Sequence, residues 1–302
     1  MNTFLRKQGQ YLLANELYAF LVAAVLALTP ITMWLSLAVV ALVTLRHGSV
    51  SGLKVFACGL VVAYVAYQFT APASHVFSID FITFIVGFSA AIALRITANW
   101  RIVIFGILIA ALLSIGLIHM LLPNYAYEQY TLLLNSLKEI DSNYVMAQLL
   151  ESQQRANPTL ILNSLLGIRV LSIVFSALSS LMLARGIQSA LFYPGGFRKE
   201  MLAFRASRAG VLLLVIAAFG VYQNNPIAIS CLPLLVVYLM SAGISLLFNM
   251  MARKKDLVII FLIVVPLIIV PYIMLPVYVF FGSLDSLFDL RLRLAANQKF
   301  KN

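Results

Sequence analysis

The sequence predicts an all-α fold: a polytopic transmembrane helical bundle of about 8–10 membrane segments, forming one membrane domain over residues 1–302, with the N-terminus cytoplasmic. Three observations carry this. The 302 residues are 63% hydrophobic and only 10% charged, whereas soluble domains carry about 25% charged residues. The apolar residues gather in runs near the roughly 20 residues that cross a hydrocarbon core. Lys and Arg fall on alternate connections between those runs, the pattern that orients membrane proteins. The net charge of +11 is therefore read as an orientation signal, and no nucleic-acid partner is expected.

The elements follow in chain order. Residues 11–45 are apolar with Pro30 in the middle, enough for two short helices at about 12–28 and 31–45. The basic flank before them precedes an apolar stretch too long for a signal-peptide core, and no small-residue cleavage site follows, so this segment is expected to be retained. Further runs cover 53–70, 78–95, 102–122, 159–184, 209–222, 226–250 and 257–282. With Arg6 and Lys7 inside, the connections carrying Arg46 and Lys54, Arg95 and Arg101, the loop 185–208 and "RKKD" at 253–256 all return to the cytoplasm. Fourteen of the 21 Lys and Arg lie on that side and two on the outer side. Reading 11–45 as one helix would reverse every later loop and destroy this agreement.

Two segments are expected to lie on the membrane instead of crossing it. The outer segment 123–158 carries Tyr125, Tyr127 and Tyr130, suited to the headgroup region, with helical apolar spacing that fits one or two amphipathic helices. In the C-terminal tail, 283–302, Leu284, Leu287, Phe288 and Leu292 recur at helical spacing opposite Asp285, Asp289 and Arg293, the pattern of an interfacial helix. The run before the tail holds Pro266, Pro271 and Pro276. One kinked span would put the tail outside; a broken, re-entrant pair would put it inside, the reading preferred here.

Ionisable groups at bilayer depth are costly. Arg169 lies about eleven residues, or ~16 Å, from the outer end of its helix. It is either held in a structural ion pair or carbonyl cap, or it anchors an anionic ligand, with Asn163 six residues earlier sharing the cavity. His119 sits near the outer end of its run, as an interfacial polar residue or a proton relay, and is counted with Arg169 and Asn163 among the candidate ligand-binding residues. Ser172, Ser176, Ser180 and Ala184 form a small-residue face suited to close helix packing. His47 and His75 fall in loops, and Glu16 and Asp80 near interfaces. No His, Asp or Glu pair within one helix has metal-ligand spacing, so neither metal nor cofactor is expected. Cys58 and Cys231 lack CxxC partners and are read as small core residues.

The loop "YPGGFRKE" lacks the GxxxxGK[ST] spacing of a phosphate-cradling loop. Pro194, Gly195 and Gly196 make a turn, and a short helix follows over roughly 197–208. Its Arg198, Lys199, Arg205 and Arg208 are expected to face anionic lipid headgroups or to dock a membrane or cytoplasmic protein partner.

Three stretches, "LTPITMWLSLAVVALVTLRHG" (28–48), "YPGGFRKE" (193–200) and "GSLDSLFDLRLRL" (282–294), resemble in order and spacing the YybS-like family of predicted bacterial inner-membrane proteins. That family is similar in architecture to the S components of energy-coupling-factor vitamin transporters. The resemblance implies a helical bundle of the bacterial inner membrane with an outward-facing pocket, and it supplies no catalytic residues. The expected function is thus a transporter-like binder of a small, anionic solute. The alternative is a non-transporting scaffold or assembly protein that docks a partner through its basic loops. No enzyme is expected: the sequence has no clustered carboxylates and no Ser-His-Asp set.

Overall fold

The computed structural model of the chain describes residues 3–70, 76–140, 145–251 and 256–291, with side chains over 7–68, 81–139, 145–251 and 261–291. The expectations for His75, Asp141, Arg253, Lys254, Lys255 and the tail from Leu292 onward lie outside these residues, as does the side chain of Asp80. The described chain is helical throughout. The first seven helices are α1 Thr3–Ala14, α2 Glu16–Ala27, α3 Met33–His47, α4 Ser49–Thr70, α5 Val76–Thr97, α6 Trp100–Leu121 and α7 Tyr125–Ile140. The rest are α8 Val145–Ala156, α9 Pro158–Phe192, α10 Gly196–Ala203, α11 Arg208–Tyr222, α12 Pro226–Met250, α13 Asp256–Ile269 and α14 Pro271–Phe288.

Five of these, within α4, α6, α9, α12 and α14, are long and apolar enough to cross a membrane, and two bent pairs raise the number to seven. The chain is a membrane protein by this measure. The 8–10 segments expected from sequence also counted stretches such as α3, which is apolar but only 15 residues long. The lipid-facing surface is plain on α11. Leu212, Val215, Ile216 and Phe219 follow the i, i+3, i+4, i+7 rule, and each is more than half exposed. In water such a stripe would drive aggregation.

The chain forms two compact units. The first comprises residues 1–107 and 172–201. Its centre is α3, in which every residue from Ser36 to Leu45 is buried, behind α2, α4 and α5. Ser36 Oγ donates to the carbonyl of Ala23 at 2.8 Å, and Ser180 Oγ to that of Trp34 at 2.6 Å. Hydroxyl-to-carbonyl bonds of this kind hold helices together where no water competes. The two short helices expected in 11–45 are α2 and α3. The chain before them forms a separate helix, α1, which is bent by 115° from α2. Asn15 makes the break: its side chain accepts from the N–H of Leu17 and caps α2.

The second unit comprises residues 108–171 and 202–302. The outer segment forms two helices, α7 and α8, joined by the ion pair Lys138–Glu151 at 3.0 Å. The unit's tightest crossing is between α12 and α14. A Cβ on Gly243 would sit 2.0 Å from the carbonyl oxygen of Tyr278, and one on Gly282 would sit 2.0 Å from that of Leu239. The two backbones touch, and only glycine permits it.

The proline-rich run does break, at Val270. Tyr278 Oη donates to the carbonyl of Ile263 at 2.7 Å. Fifteen residues of continuous helix would separate those two by ~22 Å. The chain therefore folds back at Val270–Pro271, and α13 and α14 lie side by side.

The described part of the tail, as far as Arg291, begins as the last turns of α14. Asp285 and Ser286 are fully buried, whereas Leu287 and Phe288 are exposed. The apolar spacing faces outward and the polar residues face in, because Asp285 has a partner. Arg291 Nε donates to its carboxylate at 2.9 Å.

Candidate functional site

Two polar clusters form at opposite ends of α12. The first gathers where α6 ends and where α9 and α12 begin. Asn225 caps α12, accepting from the N–H groups of Ile227 and Ala228, with Pro226 in the first turn. One turn on, Ser230 Oγ donates to the carbonyl of Asn163, 3.0 Å away in α9. The contact is close because Gly167 packs on the carbonyl of Ser230, where a Cβ would come within 2.3 Å. Asn163 is buried. Its Nδ2 donates to the carbonyl of Thr159 at 2.6 Å, which leaves Oδ1 directed at His119 Nε2, 3.0 Å away. His119 Nδ1 lies 2.9 Å from the carbonyl of Ile115.

Both ring nitrogens of His119 thus face oxygen. A carbonyl can only accept, and turning the Asn163 amide over would set Oδ1 against the carbonyl of Thr159. The ring stands in the last turn of α6, with both contacts at hydrogen-bond distance.

The structure brings His119 and Asn163 together but separates Arg169 from them. Asn163 lies one turn before Gly167 and shares the face of α9 that meets α12. Arg169, two residues after Gly167, is turned about 200° away from it. It is half-buried, with Nε shielded from solvent. Arg169 and Asn163 therefore start from different faces of α9.

The second cluster lies at the other end of α12, 19 residues or ~28 Å from Ser230, close to the thickness of a hydrocarbon core. Arg291 is its hub. Besides Asp285, it donates to the carbonyls of Leu202 and Phe204, the latter at 2.6 Å. Ser245 Oγ donates to the carbonyl of Phe204 at 2.9 Å, and Asn249 Nδ2 to that of Leu202 at 3.0 Å. Burial lowers the Arg291 pKa below its ordinary value, against the charge and hydrogen bond of Asp285, which raise it.

These bonds explain why the helix expected over 197–208 stops at Ala203. The backbone of Phe204–Ser207 is spent on partners elsewhere, including Tyr238 Oη, which accepts from the N–H of Ser207. The same cluster reaches two of the basic residues expected to face lipid headgroups or a partner, Arg208 remaining exposed. Arg205 pairs with Asp289, and Arg208 lies 3.8 Å from the same carboxylate. Arg198 and Lys199 are exposed on α10.

The first unit has its own polar layer. Glu200 accepts from Arg185 at 2.6 and 3.1 Å and from the indole N–H of Trp100 at 2.8 Å. Burial alone would raise its pKa. The hydrogen bonds from Arg185 and Trp100, with the charge of Arg185, outweigh that and hold the carboxyl below its ordinary value. Two cavities open in this unit. One, of about 180 Å³, is lined by Trp34, Thr83, Phe84, Ser172 and Ser176 among others, so part of the small-residue face of α9 borders a void. The other, of about 300 Å³, lies between α1 and the ends of α3 and α9. Among the described residues, no three His, Cys, Asp or Glu gather where they could hold a metal.

No family model, curated protein or solved structure matches the chain.

Proposed function

We propose that this chain is a multi-pass protein of the bacterial inner membrane that binds a small anionic solute at the outer end of its helices, in the manner of a transporter's binding component. The single observation that carries this reading is the His119–Asn163 pair: a ring with both nitrogens facing oxygen, beside a buried amide, among helices that are otherwise apolar. Polar and cationic groups are costly within a membrane protein and mark ligand paths by default. An anion would accept a hydrogen bond from the His119 ring at this site. The resemblance to YybS-like proteins and to S components supports the transporter-like part of the reading. The scaffold reading loses Arg205, which pairs with Asp289, and keeps the exposed Arg198, Lys199 and Arg208.

The test is a thermal-stability screen of the purified protein against small carboxylates, phosphates and sulfates. At least one should raise the unfolding temperature saturably, and His119→Leu should remove that shift while leaving the protein monodisperse. An anion that stabilises both forms equally, or no stabilising anion at all, contradicts the reading.

A further inference from the structure

We propose that the cavity between α1 and the ends of α3 and α9 is a binding site for an anionic phospholipid, holding its phosphate on Arg46 and the start of its acyl chains on an apolar floor. The cavity measures about 300 Å³, some ten times the share of liquid volume of one water, which is room for a phosphate with a glycerol. Its lining mixes polar Gln10, Arg46 and His47 with apolar Leu13, Ala14, Leu191 and Phe192.

Arg46 is the centre of the argument. It is exposed, and its guanidinium carbon lies 4.0 Å above the ring of Phe192. That stacking positions the group without using its N–H donors. No carboxylate pairs with it among the described residues. A fixed guanidinium with its fork unspent is suited to a phosphate. Lys7 adds a second positive charge. It is exposed and lies three and seven residues before Gln10 and Ala14, on the face of α1 that lines the cavity. The nearest acid in sequence, Glu16, is exposed at the start of α2 and is not part of the wall.

The location favours a lipid over a soluble phosphate. α1 is bent by 115° from the apolar α2, and its polar residues Lys7, Gln8 and Gln10 suit it to the membrane surface. His47 ties the two levels together, with Nε2 3.1 Å from the carbonyl of Leu13. Gly9 lets α1 sit directly on Ile187 and Leu191 of α9. The cavity therefore lies at headgroup depth, and its apolar floor has no use for a free phosphate.

The experiment uses the full-length protein, delipidated and titrated in zwitterionic detergent with phosphatidylglycerol, phosphatidylcholine or inorganic phosphate, with bound lipid counted by native mass spectrometry. We expect saturable binding of phosphatidylglycerol, about tenfold weaker after Arg46→Gln, largely restored by Arg46→Lys, and unchanged after Arg101→Gln. Lys7→Gln should weaken binding by a smaller factor, and it carries the test if Arg46→Gln fails to fold. Phosphatidylcholine and inorganic phosphate should neither bind saturably nor compete. Equal binding of phosphatidylcholine, displacement by free phosphate, or full binding in both the Arg46→Gln and Lys7→Gln variants would overturn the proposal.

Discussion

Arg291 donates from Nη2 to the carbonyl of Phe204 at 2.6 Å, and this bond fixes the start of the tail at the same end of its unit as the basic loop. Asn249, at the end of α12, reaches Leu202 at that same end. The run from α13 to α14 therefore begins and ends on one side. The back-bond from Tyr278 to Ile263 says the same independently, since it requires the chain to fold over at Val270. At 14 residues, α13 is ~21 Å long and too short to cross a ~30 Å core alone. The break preferred from the three prolines is present, and α13 and α14 form a hairpin.

The first prediction follows. A reporter fused after Asn302 should read as cytoplasmic, as should one placed in the 198–208 loop. With Cys58 and Cys231 replaced by Ala, single cysteines within 124–139 or 145–157 should be labelled from the periplasm and those within 198–208 should not. Opposite signals from the tail and the basic loop would refute the fold-back at Val270. Reversed labelling would refute the sidedness drawn from Lys and Arg.

Contact of α12 with α14 sets a steric limit. Gly243→Ala places a methyl 2.0 Å from a backbone oxygen, so the helices must part, at a cost on the scale of overpacking, about 1–3 kcal/mol. Gly106→Ala meets nothing within 4 Å and gains helix propensity. Fluorescence-detected size-exclusion after heating should show a lower midpoint for the first variant and an unchanged or higher one for the second. Equal midpoints would show that the crossing is looser than described.

Glu200 supplies a pH dependence. Its folded pKa is depressed, so the stability it contributes is fully present above the ordinary carboxylate value, about 4.3, and is lost as pH falls through the lower folded value. The chain has two tryptophans, so Trp34→Phe leaves Trp100, which donates to Glu200, as the sole indole reporter. Its fluorescence should change with a midpoint below the ordinary glutamate value, and Glu200→Gln should abolish that transition. A midpoint above about 4.3 would reverse the assigned sign.

The spans were legible because hydropathy is local: each run carries its own signal whatever it packs against. The α12 start was also written locally, in Asn225 and Pro226. The separate α1 was missed because a single Asn-Glu step inside an apolar stretch makes the break. The burial of Asp285 was hidden for another reason. Periodicity ranks faces by apolarity, and here a partner six residues on, Arg291, makes the polar face the inner one. Glu200 and Trp100 are 100 positions apart, and no local pattern announces such a pair. Of the candidate ligand residues, His119 and Asn163 lie at hydrogen-bond distance from each other. Arg169 was placed with them by depth along the helix, and its rotation by two residues from Gly167 turns it elsewhere.

Removing the hydroxyl of Tyr278 tests the fold-back from the side of energy. Tyr278→Phe leaves the carbonyl of Ile263 with one bond fewer, a loss of about 0.5–1.5 kcal/mol. The thermal midpoint should fall modestly, with topology reporters unchanged. An unaltered midpoint would show that the bond does not hold the hairpin closed.

The central claim is that a small anion binds at the His119–Asn163 pair. Isothermal titration of the best-stabilising anion from the thermal screen, into wild type and into His119→Leu, Asn163→Leu and Arg198→Gln, tests it most directly. The account predicts one site per chain in wild type and in Arg198→Gln, with affinity at least about tenfold weaker in each of the other two. Undiminished binding in both His119→Leu and Asn163→Leu would contradict it.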